Sequence, residues 1–240
     1  MKTIKTTLFL AFLALLFGTS SCFEELFIDG NGIPKTEIRS AEGFDDISSS
    51  GDFLVNVIPG SEYSVEVTAE SNLLPYIETD VNGHSLKIRT RGVHSLRQNI
   101  PIEVNITTPG LTGLSLSGSG LIKTGSFDAN TFSINISGSG DIDTDVYADK
   151  IKANISGSGI IYLEGDAVET EFVISGSGKI KSFNLVQDHC KAVISGSGDM
   201  YVNVFETIDA NISGSGRVFY VGHPVIHTSI SGSGEVVDKN

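Results

Sequence analysis

The sequence predicts an all-β fold, a single-stranded parallel β-helix with an N-terminal β-rich cap. Three observations predict it. Ser-Gly-Ser-Gly occurs seven times, beginning at Ser117, Ser137, Ser156, Ser175, Ser195, Ser213 and Ser231, with offsets of 18 to 20 residues. A near-constant period of this size marks a solenoid in which each repeat is one coil. Aliphatic residues hold a fixed phase around every copy. Between the copies, apolar and polar residues alternate at period two. One copy alone would read as a flexible linker; seven in phase do not. Coils this short suit a narrow solenoid, and seven at parallel-strand spacing reach roughly 34 Å.

Residues 1–21 read as a signal peptide. Lys2 and Lys5 precede the apolar run Leu8–Phe17, which is too short to span a bilayer, and small residues follow. Gly18-Thr19-Ser20-Ser21-Cys22 resembles a bacterial lipobox, in which Cys22 becomes the lipidated N-terminus. Thr19 stands where that motif usually has Leu, and ordinary signal cleavage is the alternative. Two acyl chains on Cys22 give stable anchoring. The acidic pair Glu24-Glu25 after it resembles the surface-export signal of Bacteroidetes lipoproteins. Residues 22–35, broken by Gly30, Gly32 and Pro34, read as a tether.

Residues 36–110 read as the cap together with a degenerate first coil. Phe53-Val55-Val57, Tyr63-Val65-Val67-Ala69, Leu86-Ile88 and Ile102-Val104-Ile106 alternate as strands, with Pro59-Gly60 and Asn82-Gly83 as turns. Pro75 limits any helical turn around Leu73, Leu74 and Ile77. The segment Ile47–Phe53 aligns with Ile136–Ile142 and supplies the degenerate coil. A cap is needed because an open solenoid end is an unpaired strand edge.

Residues 111–240 are the repeat region, which with residues 36–110 makes one domain. Phe132, Ile134, Ile136, Gly138, Gly140 and Ile142 share parity and face inward, while the intervening polar residues face outward. Every copy has an aliphatic residue before the first Ser (Leu116, Ile136, Ile155, Ile174, Ile194, Ile212, Ile230). Another aliphatic residue or Met stands two positions after the last Gly. Stacked, these form continuous columns, and the glycines mark where the coil has no room for a side chain. One outward column reads Leu121, Asp141, Ile160, Lys179, Asp199, Arg217, Glu235. Its last four members alternate in sign, as neighbours in a stack require. Asn135 and Asn154 fall on adjacent coils as an amide ladder.

Without the signal peptide the chain carries 14 basic and 29 acidic residues, a net charge of −15. That balance argues against nucleic acid or anionic lipid headgroups as charge-driven partners. Cys190, which shares parity with Ala192 and Ile194, is expected as a buried thiol without a disulfide partner. Asp141, Asp143 and Asp145 do not recur from coil to coil as a calcium β-roll requires, and read as a solvated edge. The five histidines lack ligand spacing. Four Asn-x-Ser/Thr sequons are products of the repeat. No catalytic, cofactor-binding or metal-ligating residue is singled out.

The repeated Ile-Ser-Gly-Ser-Gly units follow an opening of Phe44-Asp45-Asp46-Ile47 and Gly51-Asp52-Phe53-Leu54-Val55-Asn56-Val57. This pattern, from about Ile38 to about Val236, resembles the putative auto-transporter adhesin head GIN domain family. The resemblance implies a right-handed parallel β-helix on a bacterial envelope protein, often a Bacteroidetes lipoprotein, and carries over no binding residues.

The resulting expectation is a noncatalytic adhesion or binding module, needing no cofactor and anchored by lipid in the bacterial outer membrane. It would face the cell surface or otherwise the periplasm, and its repetitive faces would engage a glycan or surface protein. The alternative is a periplasm-facing structural or envelope-stress protein that self-associates as a homo-oligomer. A third reading is a polysaccharide-active β-helix enzyme using clustered acids such as Asp141 and Asp143.

Overall fold

Period-two alternation over whole repeats, with no helix-forming run between them, leaves the chain nothing to build but strands. The computed structural model of the chain describes residues 27–92 and 94–240. The signal peptide, Cys22 and the first part of the expected tether lie outside the described residues. The strands are β1 Phe27–Asp29, β2 Pro34–Arg39, β3 Asp46–Ser50, β4 Leu54–Pro59, β5 Ser64–Glu70, β6 Ile77–Asn82, β7 Ser85–Thr90, β8 Ser95–Arg97 and β9 Glu103–Thr108. The repeat region follows with β10 Gly113–Gly118, β11 Leu121–Gly138, β12 Asp141–Gly157, β13 Ile160–Gly176, β14 Lys179–Gly196, β15 Asp199–Gly214, β16 Arg217–Val221, β17 Val225–Gly232 and β18 Glu235–Asp238. Among the described residues a 3₁₀ turn, Leu74–Tyr76, sits at Pro75.

The result is a β-solenoid of about seven turns. From β11 to β15 each coil is one long strand paired parallel with the next, in register through the Ser-Gly-Ser-Gly end of each coil and with local slips in the pairings of β11 with β12, β13 with β14 and β14 with β15. Ile136, Ile155, Ile174, Ile194 and Ile212 stack in one inward column at 2% exposure or less. Each such burial is worth about 1.5–3 kcal/mol, so the column contributes heavily to stability. A neighbouring column runs Ile134, Ala153, Phe172, Ala192, Ala210, all buried. The Phe172 ring is flanked above and below by alanines, which keeps the local volume constant at close packing.

The two glycines of each motif are required for different reasons. A β-carbon on Gly157, whose φ is +139°, would strike the carbonyl oxygen of Gly138 in the preceding coil. That backbone region is one side chains rarely adopt. Gly178 instead faces inward, where a β-carbon would stand 2.6 Å from Ile155 Cγ2. The inward reading of the glycines therefore holds for the second of each pair. The first is demanded by its own backbone and by the coil beneath.

The degenerate first coil exists, but two residues away from the expected alignment. Ile47 pairs with Leu114 and Ser49 with Leu116, so Ser49, not Ile47, shares the column of Ile136. Gly51, at φ +138°, lies beneath Gly118, and Phe53 beneath Gly120. A shift of two preserves parity, so hydrophobic pattern alone cannot separate the two registers. The glycine backbone decides.

The cap closes both walls of this coil. Strand β7 pairs parallel with β3 and β9 parallel with β4. The stack then ends in antiparallel strands: β6 on β7, β5 on β9 and β2 on β5. Residues 27–35 join it, for β1 pairs parallel with β8 and β2 begins at Pro34. The enclosed Glu70 carboxylate ties these parts together, accepting from the Gly32 N–H, from the Asn99 N–H at 2.8 Å and from Asn99 Nδ2 at 3.0 Å.

Candidate functional site

Outward positions repeat once per coil, so the solenoid wall is ruled into columns of side chains. On one wall, Asn154 Nδ2 donates to Asn135 Oδ1 at 3.2 Å, forming the expected amide ladder. The exposed motif serines Ser137, Ser156 and Ser175 run alongside, and a shallow groove of about 380 Å³ lies between the two columns. A further column on this wall escaped the sequence reading. It runs Lys152, Glu171, Lys191, Asp209 with alternating sign and ends on His227. Lys191 Nζ reaches Glu171 Oε1 at 2.7 Å, and His227 Nδ1 lies 3.0 Å from Asp209. The hydrogen bond from Lys191 holds the Glu171 carboxyl below the usual carboxylate range.

On a second wall the predicted column Leu121, Asp141, Ile160, Lys179, Asp199, Arg217, Glu235 is continuous and in register. Arg217 grips the nearly enclosed Asp199 carboxylate at 3.1 and 3.4 Å. Two residues along each strand lies a column that runs Lys123, Asp143, Tyr162, Lys181, Tyr201, Phe219, with three of its last four members aromatic. Tyr201 and Phe219 stack at 4.9 Å with their planes 20° apart. Phe183, 37% exposed, meets Tyr201 edge-on at 5.5 Å. Lys181 Nζ stands 4.8 Å from the centre of the Tyr162 ring.

Tyr162, Lys181, Phe183 and Tyr201 line a groove of about 410 Å³ together with Leu163, Glu164 and Asn184. Asn184 Nδ2 donates to Glu164 Oε1 at 2.9 Å. The groove forms where the pairing of β13 with β14 slips between Tyr162 and Glu164. That slip accommodates one extra residue of a longer repeat at Phe183. Such bulges redirect side chains out of the regular ladder. The sequence reading missed the groove because its aromatics come from different repeats. Aligning the repeats two positions past the charged column would have exposed it.

The residues weighed in the sequence have separate fates. Asp141 Oδ1 accepts from the Ile160 N–H at 3.0 Å, and Asp143 lies 3.7 Å from Lys123, so each has a partner on an adjacent coil. Cys190 is buried in an inward column, and burial pushes its thiol up to about 12. Among the described residues, no group of three His, Cys, Asp or Glu could hold a metal ion. No helix among them is long and apolar enough to cross a membrane. Cys22 lies outside the described residues.

A family model described as "Putative auto-transporter adhesin, head GIN domain" matches residues 43–224. The chain belongs to this family. Solved structures share its fold. A putative adhesin from Bacteroides fragilis superposes with a TM-score of 0.84 at 24% identity, covering 88% of this chain and 100% of its own. A putative lipid binding protein from Parabacteroides distasonis gives 0.77 at 27% identity, covering 89% and 100%. A putative adhesin from Parabacteroides merdae gives 0.68 at 22% identity, covering 89% and 99%. No functionally curated protein matches the chain.

Proposed function

We propose that the chain is a noncatalytic binding module of the bacterial cell envelope, anchored through a lipidated Cys22 and displayed at the surface for adhesion. The observation that carries this reading is the in-register array of outward side chains on the walls of β11–β15. Repeated groups at coil spacing offer weak contacts that sum through avidity when many copies share one membrane. Family membership agrees, as do the adhesin descriptions of the Bacteroides fragilis and Parabacteroides merdae relatives. The acids that a polysaccharide-cleaving reading would recruit, Asp141 and Asp143, are engaged with the neighbouring coils.

The test is protease digestion of the tagged protein on intact and lysed cells, with Cys22→Ser beside the wild type. Digestion on intact cells and release of Cys22→Ser from the membrane fraction are expected. Protection until lysis would overturn surface display, and unchanged membrane partition of Cys22→Ser would overturn the anchor.

A second reading, self-association, has one specific observation in its favour. In β17, Ile230 is 42% exposed although it continues the buried Ile212 column. Concentration-dependent sedimentation that disappears in Ile230→Lys would support that reading.

A further inference from the structure

We propose that the groove between Tyr162 and Tyr201 is a binding subsite for an acidic glycan, an inference that rests on the binding-module reading and names its ligand class. A sugar ring lies on the aromatic surface of Tyr201 and Phe183, its carboxylate or sulfate meets Lys181, with Lys179 flanking the groove two residues along the strand, and its hydroxyls meet the Glu164–Asn184 pair.

Phe183 is exposed and Tyr162 and Tyr201 are half-buried, apolar surface that water solvates at a cost, while elsewhere in the column of the two tyrosines the solenoid manages with Lys123 and Asp143. The stack therefore has no need of aromatic groups at these positions. A pyranose offers an apolar C–H face bordered by hydroxyls. The groove offers the complement, flat rings with polar groups at one edge. The Asn184–Glu164 hydrogen bond fixes both side chains while leaving Glu164 Oε2 and the Asn184 carbonyl to accept from hydroxyls.

Charge selects the kind of sugar. The chain has a net charge of −13, yet Lys179 and Lys181 enter no ion pair among the described residues. Asp199, the neighbour of Lys179 in the next coil, is occupied by Arg217 from its other side. Lys181 rests against the Tyr162 ring, which holds its ammonium at the groove wall without neutralising it. Two uncompensated cations two residues apart, beside stacked rings on an otherwise acidic protein, complement an anionic group on a flat ligand. The groove is open to solvent, as a polymer requires, whereas small-molecule pockets enclose most of their ligand. Nucleic acid also stacks on aromatics, but through bases, which bring no hydroxyls to the Glu164–Asn184 pair.

Calorimetry on the full protein tests the site with three probes: oligogalacturonate hexamer, neutral cellohexaose and hexaglutamate peptide. Oligogalacturonate is expected to bind more tightly than either other probe. Tyr201→Ala and Lys181→Glu should each weaken it at least tenfold, and Ser61→Ala, exposed in the loop between β4 and β5 of the cap, should leave it unchanged. Lys181→Glu leaves the Tyr201–Phe219 stack in place, so it remains informative even if Tyr201→Ala lowers stability; its melting curve should lie close to that of the wild type. Equal binding of cellohexaose, equal binding of hexaglutamate, no binding of oligogalacturonate, or indifference to Lys181→Glu would each overturn the proposal. Adherence of intact cells that persists in Lys181→Glu would sink this site while leaving the adhesion reading standing.

Discussion

The carbonyl oxygen of Gly138 occupies the space that a β-carbon on Gly157 would take in the coil stacked upon it. The same relation joins Gly157 to Gly176 and Gly176 to Gly196, so one backbone strand guards the next along the repeats. Gly157→Val should therefore lose about 3 kcal/mol or more, combining a strained backbone with a clash against main chain. Ser158→Ala, exposed at the neighbouring position, should stay within about 0.5 kcal/mol of wild type. Urea denaturation of both variants provides the check, and near-wild-type stability of Gly157→Val would contradict the stacking geometry.

Equivalent isoleucines should differ in cost. Ile155 Cγ2 reaches toward Gly178, and Ile212 Cγ2 toward Gly234, so each isoleucine fills space beneath a glycine of the following coil. Ile174, fully buried, has such a coil above it, while Ile230 is 42% exposed. Ile174→Ala should cost about 2–5 kcal/mol and Ile230→Ala roughly 1 kcal/mol. Similar losses at both sites, measured by denaturation midpoint, would refute this account of the core.

The cap should carry an acid-sensitive tie. Donation from the Asn99 side chain, and then from the backbone N–H groups of Asn99 and Gly32, holds the Glu70 carboxyl below its ordinary value near 4.5. A lowered folded-state value means that the stabilisation is complete above the unfolded value and is lost as pH falls through the folded one. Wild type should exceed Glu70→Gln in stability at pH 7, and the gap should close as the pH drops below about 4. A gap independent of pH would show that the charge is not what matters.

Cys190 should be silent toward thiol reagents in the folded protein. Burial raises its thiol to about 12, leaving almost no thiolate at neutral pH. In the Cys22→Ser background, maleimide should add no mass to the native protein and one adduct after denaturation. Rapid native labelling would mean that the inward column opens far more readily than its packing implies.

Much of the fold is legible in the sequence because the repeat states the register directly. Ile136, Ile155 and Ile174 announce their column by identity and spacing. The first coil is harder, since Ile47 and Ser49 share parity and only the left-handed backbone at Gly51 separates two otherwise acceptable alignments. Part of the cap escaped for another reason. The short strands at Phe27–Asp29 and Ser95–Arg97 have little alternation of their own and exist by pairing with each other. The groove was the least legible, because Tyr162, Lys181 and Tyr201 differ in chemistry from coil to coil and Phe183 is aimed by a local slip in pairing.

The glycine column has a consequence for how such a protein can change over generations. Each coil takes its placement from main chain in the coil beneath, so the contacts that set register are indifferent to what the outward columns display. Duplicating or deleting one whole repeat returns every remaining coil to an equivalent neighbour. The wall lengthens or shortens by one strand spacing, about 4.8 Å, while the cap and the existing surface are left as they were. Surface chemistry and scaffold can thus be inherited as separate characters, the first free to drift under selection by whatever the cell meets, the second held still by residues that have no side chain to vary.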